Sequence, residues 1–492
     1  MRSIVEASRP KVSNPLQFPS GSFPIRRYFR ISAKMLSKGV RNTSLSGLLL
    51  ALSIVAGGSL IPPRAVAQAT FPGAQEMGDA IADMTRRGWF GPRVEKPAGA
   101  TRPADAPLAR SIDGEITIHG VDEFVDEAQE ILPELEAFAR YLRAGGFHTP
   151  LNDGGRGGDD GFDLYLEPTP GIRVADTDGM SEWSFLDRAT AFARLDPVTA
   201  SGDLRICAVE AYARASMLSL LPEEGRTWHN AFASWLTWRW TGHFGCASAL
   251  TELQTFPERG WFDADDGAGA GVFLAILSER HGAGQGAFIR DWLEVARQRT
   301  WDGEGLRGSP DLWQALSVIV EAAGEPMSTV VERAAWDRYF MGHGHDPALL
   351  SGLSAPEDAR IEAAVVTELS ALPFHSPGGI ELDPYGSSYA RVDVRGAPPL
   401  ARLRVWLRGE YGVEWALSAT RINTEGNEQG RLSAPPRRAD GRSYLPVELR
   451  ADTEFVLVAV TNLSHRLPDQ DEDHPEDPNT RSFRLIFDIV TD

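Results

Sequence analysis

Lysine and cysteine are the residues that this sequence has least of. After residue 67 a single lysine is left, Lys96, and the other cations of that part are all arginine. No phosphate-binding loop, dinucleotide fingerprint or G-x-S-x-G motif occurs, so the sequence gives no sign of a nucleotide-binding enzyme or a serine hydrolase. The two cysteines, Cys207 and Cys246, favour one disulfide over a metal site if the chain is exported.

Positive charge is also scarce. The 49 Lys and Arg residues stand against 68 Asp and Glu residues, and the net charge is −19. Ten of the basic residues and one Glu fall within residues 1–67, so removal of that segment takes away +9 and changes −19 to −28. Nucleic-acid binding needs clustered Lys and Arg, which argues against a nucleic-acid partner. The acidic, lysine-poor composition fits solubility in salt and, equally, a GC-rich genome.

The first 67 residues have the order of features found in a secretory signal peptide. A basic segment precedes the apolar run LSGLLLALSIVAGGSLIPP, and the small residues Ala65 and Ala67 follow. A retained membrane anchor is the alternative, although glycines and prolines in the run disfavour a spanning helix. Because the basic part is long, Met1 and Met35 are both candidate starts. We expect a secreted, periplasmic or cell-envelope protein with no membrane span after signal removal.

Composition and periodicity divide the rest of the chain into an α+β part and an all-β part. Residues 68–110 are rich in Pro, Ala and Gly and indicate a flexible linker. Residues 111–352 combine a few strands with a mostly helical stretch, and residues 353–375 form a connector. Residues 376–492 alternate apolar and polar positions between Gly, Pro and Asp turns, which is typical of a β-sandwich.

The stretch ICAVEAYARASMLSLLPEEGRTWHNAFASWLTW, residues 206–238, has the layout of a zinc-protease helical hairpin without its metal ligands. Gluzincin proteases bind zinc through the two His of H-E-x-x-H and a Glu of the next helix, and the intervening Glu is the general base. Here Val209, Glu210 and Ala213 occupy the H-E-x-x-H positions, and Asn230 is the polar residue nearest the third ligand. Because Val and Ala cannot ligate zinc, no catalytic metal is expected. Glu210 is then either a helix-surface carboxylate paired with Arg214 or a vestige of a polar site.

More of the chain is similar to the secreted metalloproteases of myxobacteria and related bacteria. YLRAGGFHTPLNDGGRGGDDGFDLYL resembles their N-terminal part, DGMSEWSFLDRATAF their active-site edge strand, and FASWLTWRWTGHFGC their ligand-helix region. The C-terminal segment is similar to sandwich domains akin to bacterial pre-peptidase C-terminal domains. The resemblance spans about residues 112–490. It implies a gluzincin-like domain, a small edge sheet plus a mostly helical part, with a degenerate zinc motif.

Other segments allow more than one interpretation. GHGHDP, with His343 and His345, could chelate a metal or lie solvated past a helix end. Calcium favours oxygen-rich loops such as the acidic residues 467–479 and the segment 153–161, but an ordinary acidic loop and a Gly-rich turn are the favoured interpretations of these two segments. The second hairpin helix carries four tryptophans: Trp228, Trp235, Trp238 and Trp240. Helical spacing of the first three indicates that most of the cluster is core, and the alternative is that Trp238 or Trp240 lines an exposed aromatic surface for a peptide or glycan.

The two hairpin helices are of similar length, and the short turn LPEEGRT between them predicts antiparallel packing. This brings Cys207 and Cys246 to the same end of the hairpin, about 6 Å apart between Cα atoms, as a disulfide requires. Two buried free thiols are the alternative.

These features together predict a non-catalytic metalloprotease-like protein that acts as a binding or envelope-associated scaffold. Its ligand would be a peptide, a protein or a glycan, and neither zinc nor another cofactor is expected. Two alternatives stay open: an active secreted zinc metallopeptidase with unrecognised ligands, and a purely structural envelope or matrix protein.

Overall fold

The computed structural model describes most of the chain after residue 101, with gaps. The described residues are 102–168, 173–180, 189–198, 203–222, 224–246, 250–261, 268–282, 286–297, 311–341, 367–376, 379–398, 400–435, 440–464 and 480–491. All of them belong to one compact unit within Met84–Asp492. The predicted signal peptide, the GHGHDP segment and the acidic segment 467–479 lie outside the described residues. Helices and sheets are both present, so the α+β class is confirmed.

A five-stranded mixed sheet opens the described chain. Its strands are β1 (Ala106–Arg110), β2 (Ile116–Gly120), β3 (Phe162–Leu166), β4 (Arg173–Met180) and β5 (Ala189–Leu195). The spatial order is β1-β2-β3-β5-β4; the three central strands are parallel, and the two edge strands run antiparallel to their neighbours. Strands β2 and β3 are buried on both faces. Successive side chains point to opposite faces, so one face of these strands is apolar and the other carries polar groups.

The first helix, α1 (Val125–Gly145), crosses from β2 to β3 and packs against β1 and β2. Its buried residues recur every three or four positions, the spacing of one helix face: Ala128, Ile131, Leu135, Phe138 and Leu142. Gly146 caps the end of the helix: its φ is 74°, and its N–H donates to the Leu142 and Arg143 carbonyls. Glycine adopts this left-handed conformation without a Cβ clash, so the Gly145–Gly146 pair sets the helix end.

The hairpin helices α2 (Leu204–Leu218) and α3 (Arg226–Thr241) lie in the interior. Asp203 caps α2 by accepting the Arg205 N–H at 2.9 Å. Every side chain of α2 from Cys207 onward is buried, and α2 packs against α1, α3, β4 and β5. A helix buried on all sides lies at the centre of a domain. Five shorter helices follow: α4 (Leu250–Thr255), α5 (Gly271–Gly282), α6 (Ala287–Ala296), α7 (Leu312–Ala322) and α8 (Met327–Phe340).

Two five-stranded sheets make up the C-terminal part. The first has the order β13-β10-β15-β7, with β8 also paired to β15, and the second has the order β12-β11-β14-β9-β6. The strands are β6 (Thr367–Leu369), β7 (Phe374–His375), β8 (Ile380–Leu382), β9 (Ser387–Asp393), β10 (Arg402–Gly409), β11 (Trp415–Asn423), β12 (Glu428–Ser433), β13 (Arg442–Glu448), β14 (Thr453–Asn462) and β15 (Arg481–Val490). Their alternate apolar side chains enclose a core of their own, as expected for a sandwich.

The last helix joins the helical part to the second sheet of the sandwich. On α8, Trp336 Nε1 donates to Ser418 Oγ at 3.0 Å, and the Ala335 carbonyl accepts the Tyr389 hydroxyl. Arg338 on the same helix is fully buried, and its guanidinium lies 5.2 Å from the Trp261 ring centroid. It donates to three carbonyls of α4 and of the segment directly after it: Leu253, Phe256 and Pro257. A packed, hydrogen-bonded junction therefore connects the two parts.

The folded regions begin earlier than the composition indicates. Strand β1 lies inside the segment expected as a linker, and β6 and β7 lie inside the expected connector. Pro107 falls in β1, which is an edge strand and has a partner on one side only. An edge strand tolerates a residue without an N–H, so proline there does not exclude a strand.

No helix among the described residues combines the length and the apolarity that a membrane crossing requires.

Candidate functional site

The four positions that the resemblance aligns with a zinc motif are buried. Val209 and Ala213 are 0% exposed, Asn230 is 5% exposed and Glu210 is 8% exposed. Arg214 is buried as well, so the interpretation of Glu210 as a helix-surface carboxylate is wrong. The cause is the all-round burial of α2, which leaves this helix no solvent face.

Glu210 binds the turn that follows α3. Its Oε2 accepts the backbone N–H of Cys246 at 2.5 Å. The adjacent Gly245 has φ of +80°, and a Cβ there would lie 2.9 Å from the same carboxylate oxygen. Glycine is thus required both for the backbone conformation and for the close approach of Glu210. This carboxylate is engaged in holding the turn.

The turn also carries the disulfide. Cys207 and Cys246 are paired, with their Cα atoms 4.5 Å apart, so the predicted disulfide between these two residues is confirmed. One end of the hairpin is therefore held by a covalent bond and by the hydrogen bond from Cys246 to Glu210.

Two other polar side chains near the motif have structural partners. His229 Nε2 lies 2.7 Å from the Leu221 carbonyl, so this nitrogen carries the proton and donates it. Tyr212 packs edge-on against Phe138 and Phe162, and burial raises the pKa of its hydroxyl. Both side chains are buried, so neither is available at a surface.

The tryptophans of α3 belong to the core. Trp228, Trp235 and Trp238 are buried, and Trp228 packs edge-on against Trp292 and Trp313. The fourth, Trp240, is partly buried and donates its indole N–H to the carboxylate of Glu134. The interpretation of these residues as an exposed ligand surface is therefore wrong.

A second polar group, which the sequence analysis does not predict, lies on the opposite face of the first sheet. His119 on β2 stacks on Tyr165 of β3, with ring centroids 4.6 Å apart. His119 Nε2 lies 2.8 Å from Asp163 Oδ1, and Nδ1 lies 3.2 Å from the Asp105 carbonyl. Both ring nitrogens thus face acceptors.

An arginine from the start of the described chain covers this group. Arg102 forms ion pairs with Asp153 and Asp163 and lies 5.1 Å from the Phe192 ring centroid. A Cβ at Gly157 would overlap the Asp163 carboxylate, so the glycine-rich loop folds directly onto this acid. Arg102 thus lies between a carboxylate of the loop, Asp153, and one of β3, Asp163, and offsets part of their negative charge.

Burial dominates the electrostatics of this group. It raises the pKa of Asp153, and the nearby Arg102 offsets part of that rise. Burial, together with the Asp163 charge, raises the pKa of Tyr165 to about 12. Across the described ranges, no three His, Cys, Asp or Glu side chains come together in a group that could hold a metal ion. The arrangement is a closed ion network that fastens residues 102–105 and the loop to the sheet.

No protein-family model matches the chain, and no curated protein matches it. Among solved structures, the enzymatically active domain of tailspike protein 4 from Bacteriophage CBA120 is 8% identical over 23% of this chain and 15% of that domain, with a TM-score of 0.17. CorA, a surface-associated copper-binding protein of Methylomicrobium album BG8, is 7% identical over 26% of this chain and 99% of its own, with a TM-score of 0.18. The Yersinia pseudotuberculosis-derived mitogen is 12% identical over 25% of this chain and 97% of its own, with a TM-score of 0.16. Likenesses this weak carry no argument about the fold or the function of this chain.

Proposed function

We propose that this chain is an exported, non-catalytic metalloprotease-like protein that binds an extended peptide segment beside its hairpin. The observation that carries the proposal is the burial and the contacts of the residues at the aligned motif positions. Two ligand positions hold buried apolar residues, Val209 and Ala213, and the one retained acid, Glu210, is engaged with the Cys246 N–H. A general base needs access to a water molecule or a substrate proton, which this setting does not provide.

The order of elements supports a protease-like scaffold. A strand, a helix, a strand, an antiparallel edge strand and a further strand lead directly into the hairpin: β2, α1, β3, β4, β5 and then α2 and α3. Helix α2 packs against both β4 and β5. In the metalloproteases that the sequence resembles, the edge strand belongs to the active site. The segment expected for it, residues 178–192, begins in β4 and ends in β5, and of these two strands β4 lies at the edge of the sheet.

An extended peptide could add to this edge. Among the described strands, β4 is hydrogen-bonded to β5 on one side and has no partner on the other. An unpaired edge presents a row of backbone donors and acceptors to which a peptide strand can pair. The scaffold would then keep the binding function of a protease cleft without the chemistry.

The absence of catalysis is tested on the purified exported protein. Metal analysis should find zinc well below one ion per chain, and peptidase activity on a mixed peptide library should be absent with or without a chelator. A tightly bound stoichiometric zinc, or proteolysis that a chelator abolishes, would establish the active metallopeptidase instead.

The hairpin alignment is tested by restoring the ligands. The variant Val209→His, Ala213→His, Asn230→Glu should be less stable than wild type without metal, since each larger side chain overpacks a full core by about 1–3 kcal/mol. Added zinc should then raise its melting temperature. A control with Gln at positions 209 and 213 and Glu at 230 has similar bulk but no imidazole, and zinc should not stabilise it. Equal zinc responses of the two variants would refute the alignment.

The binding edge is tested with two neighbouring proline variants of β4. In the register of β4 with β5, Asp176 lies opposite Phe192 and Thr177 lies opposite Ala191. The N–H groups of these two consecutive residues point to opposite edges of β4. Proline removes the N–H at its position. Of Asp176→Pro and Thr177→Pro, the variant at the residue whose N–H points toward β5 should lose stability, because it loses a hydrogen bond to that strand. The other should stay folded and lose affinity for peptides selected from a displayed library. A purely structural protein would select no peptides, and a folded variant with full affinity would exclude the β4 edge.

A further inference from the structure

The outer face of the first sandwich sheet brings five arginines together on an acidic chain. On β10, the inward residues Leu403, Val405 and Leu407 are in the sandwich core, so the alternating residues face outward. The outward set from β10 and its two neighbours β13 and β15 contains these arginines: Arg402, Arg404, Arg408, Arg442 and Arg484. Asp488 and Glu448 are the carboxylates in the same rows, so the face is net positive although the whole chain is −19.

Three of the arginines lie directly side by side across three strands. Arg408 is paired in register with Arg442 on β13 and with Arg484 on β15. Neighbouring strands are about 4.8 Å apart, and like charges directly opposite each other repel. All three side chains are exposed, and none forms an ion pair with another described residue. By contrast, the exposed Arg205 and Arg395 each pair with a nearby aspartate.

An aromatic row runs beside this arginine row. Tyr444, Trp406, Ile486 and His375 follow one another across β13, β10, β15 and β7. The Trp406 and Tyr444 rings are 5.3 Å apart, and Tyr444 is 44% exposed. The Arg404 guanidinium lies 4.8 Å from the Trp406 ring centroid. The two rows are two residues apart along the strands, which is about 7 Å.

We infer that this face binds an acidic polysaccharide. Guanidinium groups pair with carboxylate, sulfate or phosphate oxygens through two parallel hydrogen bonds, and the aromatic row offers flat apolar surface for sugar rings. The repulsion within the arginine row is relieved when an anion bridges it. This goes beyond the proposed function, because neither the hairpin nor β4 takes part.

The surrounding charge favours a glycan over a nucleic acid or a membrane. Double-stranded DNA carries one negative charge per about 1.7 Å, and the acidic remainder of this chain repels such a dense array within the screening length of about 8–10 Å. An anionic bilayer presents the same difficulty over a wider area. A polysaccharide with one acidic group per sugar or less can contact the three-strand face without approaching the rest of the surface.

The test measures the affinity of the full exported chain for polygalacturonate. The variant Arg408→Gln, Arg442→Gln, Arg484→Gln should bind about tenfold more weakly, the loss expected for three exposed charge-assisted contacts. The matched variant Arg205→Gln, Arg333→Gln, Arg395→Gln changes the net charge equally from exposed positions elsewhere and should bind as wild type does. Circular dichroism checks that both variants are folded, which is expected because the first relieves a repulsion.

Three probes complete the test. Methyl-esterified polygalacturonate has the same sugars without the charge and should bind much more weakly. Trp406→Ala should reduce affinity for polygalacturonate if sugar rings lie on the aromatic row. Equal losses in the two arginine variants, unchanged affinity of Trp406→Ala, or equal binding of the ester would overturn the inference. So would tighter binding to phosphatidylglycerol vesicles or to a single-stranded oligodeoxynucleotide.

Discussion

Removal of the Cys207–Cys246 disulfide should be among the most destabilising small changes in this chain. The two residues are 39 positions apart, and cross-linking them restricts the unfolded chain. In the chain-entropy model a loop of this length contributes about 4 kcal/mol at 25 °C. We therefore expect the double variant Cys207→Ala, Cys246→Ala to lose about 4 kcal/mol of unfolding free energy. Because the effect acts through the unfolded state, the native hairpin should keep its structure.

Urea denaturation under non-reducing conditions measures this loss. The tryptophans of α3 lie in the same hairpin, so their fluorescence reports its unfolding. A reductant should lower the stability of the wild type toward that of the double variant and leave the variant unchanged. Thiol counting on denatured, unreduced protein should give none. Two free thiols, or a double variant within about 1 kcal/mol of the wild type, would refute the entropy argument.

Substitutions at three further positions, with controls, test the partners of buried charges. Glu210→Ala should cost about 1–3 kcal/mol in urea denaturation, since the Cys246 N–H loses its acceptor, and Glu210→Gln should cost less because it keeps one. The reverse ranking would contradict this role. Burial raises the folded pKa of Asp153 above its unfolded value, so its contribution is present at low pH and lost as pH rises through the folded pKa. Asp153→Asn should therefore gain stability relative to wild type as the pH rises above the unfolded pKa of about 4, and a pH-independent difference would contradict the shift. Arg338→Met leaves buried carbonyls without a donor and should cost about 2–5 kcal/mol by calorimetry, whereas Arg333→Met, at an exposed position, should cost less than about 1 kcal/mol.

Periodicity predicted the elements whose two sides differ. Helix α1 has one buried face and a glycine at its end, and the sandwich strand β13 alternates buried and exposed residues, so both are visible in the sequence. Helix α2 is buried on every side and has no such contrast. For this reason its interior position, and with it the setting of Glu210, could not be predicted from spacing alone.

Contacts between residues far apart in the chain were the other features that could not be predicted from the sequence. The disulfide was predictable because a short turn fixes how two consecutive helices pack. Arg102 meets Asp163 from 61 positions away, and its proline-rich surroundings indicated a linker. The arginine row depends on the register of strands separated by long connections, so three scattered arginines gave no signal. A pattern of alternating polar residues in β2 and β3, Thr117 and His119 beside Asp163 and Tyr165, was the one available sign of the buried polar face.

Buried charged side chains in this chain have hydrogen-bonding partners, whereas a row of exposed arginines has none among the described residues. This contrast separates structural sites from candidate binding sites. A buried guanidinium must find acceptors, because desolvation costs several kcal/mol, and Arg102 and Arg338 both meet carboxylate or carbonyl oxygens. An exposed pair of like charges in a sheet costs only about 0.2–1 kcal/mol, so the row at Arg408 can exist without partners until a ligand supplies them. The interior hairpin, with its satisfied Glu210 and its disulfide, has the properties of a structural element. Among the described residues, our two proposed binding surfaces are therefore the outer sandwich face and the edge of β4 that pairs with no described strand.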